Sequence, residues 1–208
     1  MDIKKLAGIA LLVVVGLWII GAIFSPSHKT DAPQTVQAST GDKWQVKEER
    51  SPMDDSQTVV LTLDSENVVQ GPLGTFKPSL IVRCQQKKTA IYVVTGMAAS
   101  IEEDVEGGPS DFHKVGIRLD DAPAIYSHWG ESNDHRTLFA SDLISDARGE
   151  PSAFSGGAIK FAKELSQASA LTFQFTPFDG TTQIARFDLR GLDPHLHKVA
   201  EACGWAYE

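Results

Sequence analysis

The chain has 208 residues, 42% hydrophobic and 22% charged, and a formal charge of −8. That balance excludes a wholly disordered chain and a multi-span membrane protein, and the acidic sign argues against coating of nucleic acid. Two cysteines exclude a Cys-rich zinc module and a dense disulfide scaffold.

Leu6 to Phe24 form nineteen residues without a charge, preceded by Lys4 and Lys5. As a helix this stretch is about 28 Å long, close to the hydrocarbon thickness of a bilayer. Basic residues on its N-terminal side predict that the N-terminus stays in the cytoplasm and the rest is exported. Residues 1–24 are therefore read as a transmembrane anchor, because the apolar run exceeds a signal-peptide core. A cleaved signal is the alternative. Residues 25–42 are rich in Pro, Ser, Thr and Ala and predict a flexible tether, since they have too little apolar surface to offset chain entropy. Asp2, Lys4 and Lys5 together carry +1, so the remainder carries −9 and suits a basic protein partner better than an anionic membrane surface.

Residues 43–208 read as a folded β domain. Val59, Leu61 and Leu63 alternate with polar or smaller neighbours, as do Leu80, Val82 and Cys84. The same period of two runs through Ile91 and Val93, Val115 to Leu119, Leu171 to Phe175, and Ala185 to Leu189. Such alternation predicts half-buried antiparallel strands. Residues 86–88 and 178–181 fall between strand pairs and predict hairpin turns. Ala158, Phe161, Ala162 and Leu165 step by three and four, predicting a helix with Ser155 as its cap. Leu196, Val199, Ala200 and Cys203 predict a closing helix, with Asp193 as cap and Pro194 in its first turn. The expected architecture is mainly β: an antiparallel β sandwich or open barrel with one inserted helix and a C-terminal helix.

Cys84 falls on the inward face of its strand and Cys203 on the apolar stripe of the last helix, so both point into one core. Export would place them in an oxidising compartment, which favours a disulfide across 119 positions over two separate buried thiols.

No other group of residues assembles into a reaction centre. Asp54 with Asp55, and Asp120 with Asp121, are adjacent pairs whose side chains diverge in extended chain. His128 and His135 flank a Gly-Glu-Ser-Asn stretch without metal-ligand spacing, and His195 and His197 do not share a helix face. The histidines are expected at the surface, and no metal or cofactor is expected. Nucleophile-elbow and phosphate-loop motifs do not occur in the sequence. Arg118 beside Asp120 could form a polar rim contact, and with Asp54, Asp55 and Trp129 these are the candidate binding residues.

Several phrases recur in a familiar order: Ser51-Pro52-Met53-Asp54-Asp55-Ser56, Arg83-Cys84, Arg118-Leu119-Asp120, Phe187-Asp188-Leu189-Arg190-Gly191-Leu192 and Ala202-Cys203-Gly204-Trp205. Together they resemble the VasI family of type VI secretion-associated proteins over about residues 43–205. The resemblance implies an envelope accessory protein without enzymatic activity, whose partner is an envelope or secretion-machinery protein. Here the domain would be periplasmic, held to the inner membrane through residues 6–24. It also places Trp205 beside Cys203, where the ring would pack on the sulfur bridge. Two alternatives are a cell-wall-active hydrolase, for which Asp54, Asp120 and Glu131 are the first residues to inspect, and an inhibitor or immunity-like protein against an exported enzyme.

Overall fold

The computed structural model describes residues 43–71, 74–99, 102–103, 109–110, 112–140 and 157–207. The predicted span 6–24, the tether 25–42 and the proposed cap Ser155 lie outside the described residues. Among the described residues no helix is long and apolar enough to cross a membrane.

Nine strands form one antiparallel sheet: β1 (Gln45–Arg50), β2 (Gln57–Asp64), β5 (Ser79–Gln85), β6 (Lys88–Val94), β9 (Phe112–Leu119), β10 (Ile125–Glu131), β11 (Thr137–Phe139), β12 (Ala170–Phe175) and β13 (Gln183–Asp188). Their order is β1-β2-β5-β6-β11-β10-β9-β12-β13. Two small ribbons accompany it, β3 (Val69–Gly71) with β4 (Gly74–Phe76) and β7 (Glu102–Glu103) with β8 (Pro109–Ser110). Helix α1 is Gly157–Gln167 and helix α2 is Leu192–Cys203.

The register aligns the apolar positions on one face. Leu61 opposes Val82, Val82 opposes Ile91, Val93 opposes Leu138, Ser127 opposes Val115, Ile117 opposes Phe173, and Phe173 opposes Ala185. Directly paired residues point the same way, so this face is continuous across the sheet. It is covered by helices: α2 packs on β2, β5 and β6, and α1 packs on α2 and β6. Phe161 of α1 meets Trp129 edge-on with ring centroids 6.0 Å apart.

The expectation of a mainly β, antiparallel domain with an inserted and a terminal helix therefore holds, but a two-sheet sandwich does not. The second layer is helical, because the segments with 3.6-residue periodicity supply the apolar stripe that a second sheet would otherwise provide. The sheet does not close into a barrel. Instead Asn67, just after β2, bridges to the β13 edge: its Nδ2 donates to Ile184 O at 2.8 Å and its Oδ1 accepts from Arg186 N at 2.9 Å. Glu66 N also donates to Arg186 O at 2.7 Å.

Both predicted hairpin turns are present. Between β5 and β6 the turn is Gln86-Lys87, with φ of 50° and 60°, the left-handed pair that a two-residue hairpin requires. Helix α2 starts differently from expectation: its N-cap is Gly191 at φ 91°, without a side-chain cap, and Asp193 lies within the first turn. Tyr207 Oη donates to the Asp193 carboxylate, which is thereby engaged with the chain end.

Candidate functional site

Cys84 and Cys203 form a disulfide with Cα atoms 5.6 Å apart. Strand β5 turns Cys84 inward, and α2 delivers Cys203 in its last turn. Three further contacts hold the same junction. Lys87 Nζ donates to Ala202 O at 2.9 Å, placing a cation at the negative end of the helix. Gly204, at φ 74°, ends α2 by donating its N–H to Ala200 O at 2.7 Å. The Trp205 indole N–H reaches Thr89 Oγ1 at 2.9 Å, and Thr89 is the cross-strand partner of Cys84. The ring is thus tied to the strand neighbouring the bridge.

The candidate binding residues are dispersed. Asp54 and Asp55 lie in the turn joining β1 to β2 at one sheet edge. Asp54 Oδ1 accepts the Ser56 hydroxyl at 2.8 Å and the Ser56 N–H at 3.2 Å, and hydrogen bonds from Ser51 and Ser56 hold its carboxyl below the usual range. Asp55 sits at φ 55°, and its N–H donates to Ser51 O at 3.0 Å. Asp120 follows β9, separated in the sheet order from that turn by β5, β6, β11 and β10. Its Oδ1 accepts the backbone N–H groups of Ser169 and Ala170, both at 2.9 Å, so it fastens the entry to β12. Arg118 lies 3.5 Å from Asp121, an exposed pair of little energetic weight.

Trp129 is a correction. It is 1% exposed and packs against Phe161 and Phe173, so it belongs to the core and is out of reach of a partner.

Glu131 gathers the groups that sequence reasoning did not bring together. Its Oε2 lies 2.8 Å from His113 Nε2, off the line of a good hydrogen bond, and its Oε1 lies 2.5 Å from His135 Nδ1. His113 is only 4% exposed, contrary to the expectation of surface histidines. The signal was present: His113 stands one step before Val115 and Ile117 on the same alternating face. His113 opposes Trp129 and Glu131 opposes Leu138, so this acid–imidazole cluster is on the inward side at the end of β10. The Glu131–His135 contact spans the turn from 131 to 136, while the His113 ring lies beside the other carboxylate oxygen without a hydrogen bond to it. Among the described residues no group of three or more His, Cys, Asp or Glu could hold a metal ion.

Asp188 forms the other strong electrostatic node. Arg190 donates Nε to Oδ1 at 2.7 Å and Nη2 to Oδ2 at 2.6 Å, and Lys43 Nζ also binds Oδ2. These cations, Arg190 first, hold the buried carboxyl well below the usual range.

Each phrase of the family pattern is thus a structural junction. The 51–56 phrase makes a turn, Cys84 and Cys203 make the bridge, Asp120 fastens two segments, Asp188 and Gly191 turn β13 into α2, and Gly204 with Trp205 closes α2. One large β sheet backed by two helices, stapled by a disulfide and punctuated by these residues, defines a helix-backed β module. A family model described as "Type VI secretion system VasI, EvfG, VC_A0118" matches residues 22–205, and the chain belongs to this family of type VI secretion-associated proteins. No match was found among curated proteins, and none among solved structures.

Proposed function

We propose that this protein is an accessory component of a type VI secretion apparatus, anchored in the inner membrane by residues 6–24, with residues 43–208 in the periplasm contacting another envelope or secretion-machinery protein. The observation that carries the reading is the family match over 22–205, which includes every junction described above. The family is secretion-associated rather than enzymatic. The uncharged stretch behind Lys4 and Lys5 supports the anchor, and the Cys84–Cys203 bridge supports an oxidising compartment. A tether of eighteen residues, extended, gives the domain a reach of up to about 60 Å from the membrane.

The test is crosslinking in native membranes, with a thiol-reactive polymer added before and after reduction. Membrane-bound protein that labels only after reduction, and that crosslinks to a second envelope protein, is the expected result. Recovery solely as an uncrosslinked monomer, or as soluble cytosolic protein with both thiols reactive, overturns the proposal.

A further inference from the structure

We infer that a cleft between β4, the segment after β6 and the β12–β13 turn is a docking site for a partner-protein segment that offers one large apolar side chain beside a carboxylate. This deepens the reading above, in which the domain works by protein contacts. The cleft encloses about 220 Å³ and is lined mainly by Phe76, Met97, Pro177 and Phe178, with Arg136 and Asp179 as its charged members.

The cleft is built, and its parts fix one another. A Cβ on Gly96 would stand 2.8 Å from Phe76 Cδ1, and Gly96 has φ 74°, so glycine is what lets the Phe76 ring lie on the backbone there. The buried Thr95 hydroxyl lies 2.8 Å from Met97 O and 3.0 Å from Arg136 O, tying the floor to the 131–136 turn. Ala99 N donates to His135 O at 3.1 Å, and Phe178 N donates to Ala98 O at 2.9 Å. Binding therefore has little loop ordering to overcome.

Size selects the occupant. A cavity of about 150 Å³ holds a benzene ring, whereas sites for drug-sized ligands start near 300 Å³. The space here fits one aromatic or large aliphatic side chain and is too small for a cofactor. Phe178, 69% exposed, supplies an apolar lip that an incoming ring would cover.

Charge selects its neighbour. The Asp179 carboxylate already accepts the Thr181 N–H at 3.0 Å. The Asp134 carboxylate, which acts on Arg136 through space, is hydrogen-bonded by Ser132 and by the Arg136 N–H. The Arg136 guanidinium makes no ion pair among the described residues. It is thus open to a carboxylate from outside. The net charge of −8 repels a strongly acidic partner, so a single carboxylate beside the anchor fits better than an acidic tract.

The experiment measures binding of three fluorescent capped peptides, containing Phe-Asp, Phe-Asn or Ala-Asp, to the full chain in lipid nanodiscs. The Phe-Asp peptide is expected to bind about fivefold more tightly than the Phe-Asn one, the range of an exposed ion pair, and more tightly than the Ala-Asp one. Arg136→Gln, which leaves the backbone bonds of that residue intact, should erase the Asp-over-Asn preference while keeping the preference for Phe. Phe178→Ala should weaken both Phe peptides. Equal binding of all three, no saturable binding at millimolar peptide, or an Asp preference that survives Arg136→Gln each overturns the inference. None of these results touches the crosslinking and fractionation outcomes, so the wider reading stands or falls separately.

Discussion

Reducing the Cys84–Cys203 bridge is the sharpest perturbation available. The two residues are 119 positions apart, and closing a loop of that length removes about 5 kcal/mol of chain entropy from the unfolded state in the loop-closure model. For a domain of this size each kcal/mol moves the melting temperature by about 2–4 °C, so reduction should lower it by about 10–20 °C. The assay is a thermal melt followed by circular dichroism, run oxidised and with a phosphine reductant. The double variant Cys84→Ala/Cys203→Ala serves as control. Reduction retains both sulfur atoms, whereas the variant also empties space around the fully buried Cys84, so any extra loss in the variant is packing. Loss of amide protection should begin at the C-terminal turn of α2, where Lys87 and Trp205 are then the remaining ties. A shift of less than about 3 °C on complete reduction would refute the argument, because it would mean that the helix is held as well without the crosslink.

Three further outcomes follow from the same contacts. Asp188→Asn should cost about 2–3 kcal/mol, the range for hydrogen bonds to charged groups, measured by urea unfolding at pH 7. The folded carboxyl of Asp188 titrates below its unfolded value, so its stabilisation is complete above about pH 4 and is lost as the pH falls toward the folded value. Stability of the Asn variant should accordingly fall less steeply below pH 4. Asp120→Ala should destabilise by about 1–2 kcal/mol and speed hydrogen exchange at Ser169 and Ala170, while Asp120→Asn, which keeps an acceptor and tolerates the φ of 46°, should cost less. Trp129→Ala should cost about 3–5 kcal/mol in a chemical melt, as a core aromatic does, whereas a surface binding residue would leave stability nearly unchanged.

The strands that were legible in the sequence have one wet and one dry face. β2, β5, β9, β12 and β13 all show that contrast in their residues. β10 does not: its inward residues Ser127, Trp129 and Glu131 are as mixed as its outward ones Tyr126, His128 and Gly130, and Ile125 at its start is exposed. The acid–imidazole cluster at its end is what breaks the pattern, so the local code failed where the structure carries polar groups inward. β1 reads as charged because it is an edge strand, paired only to β2 among the described residues. The bridge was legible because two independent periods, two and 3.6, aimed both cysteines inward. The role of Asp120 was not, since its partners lie 49 and 50 residues away and turn preference says nothing about distant N–H groups. The cleft was hidden for a similar reason: its walls come from loops and short strands with no period of their own.

The Asn67 side chain occupies outward-facing carbonyl and amide groups of β13, so one rim of the sheet is plugged while the other, β1, stays unpaired among the described residues. Endless edge-to-edge stacking needs two open rims on every copy. With one of them stoppered, growth by strand addition ends at a pair, and a crowded array of these domains is protected against running on into a fibre.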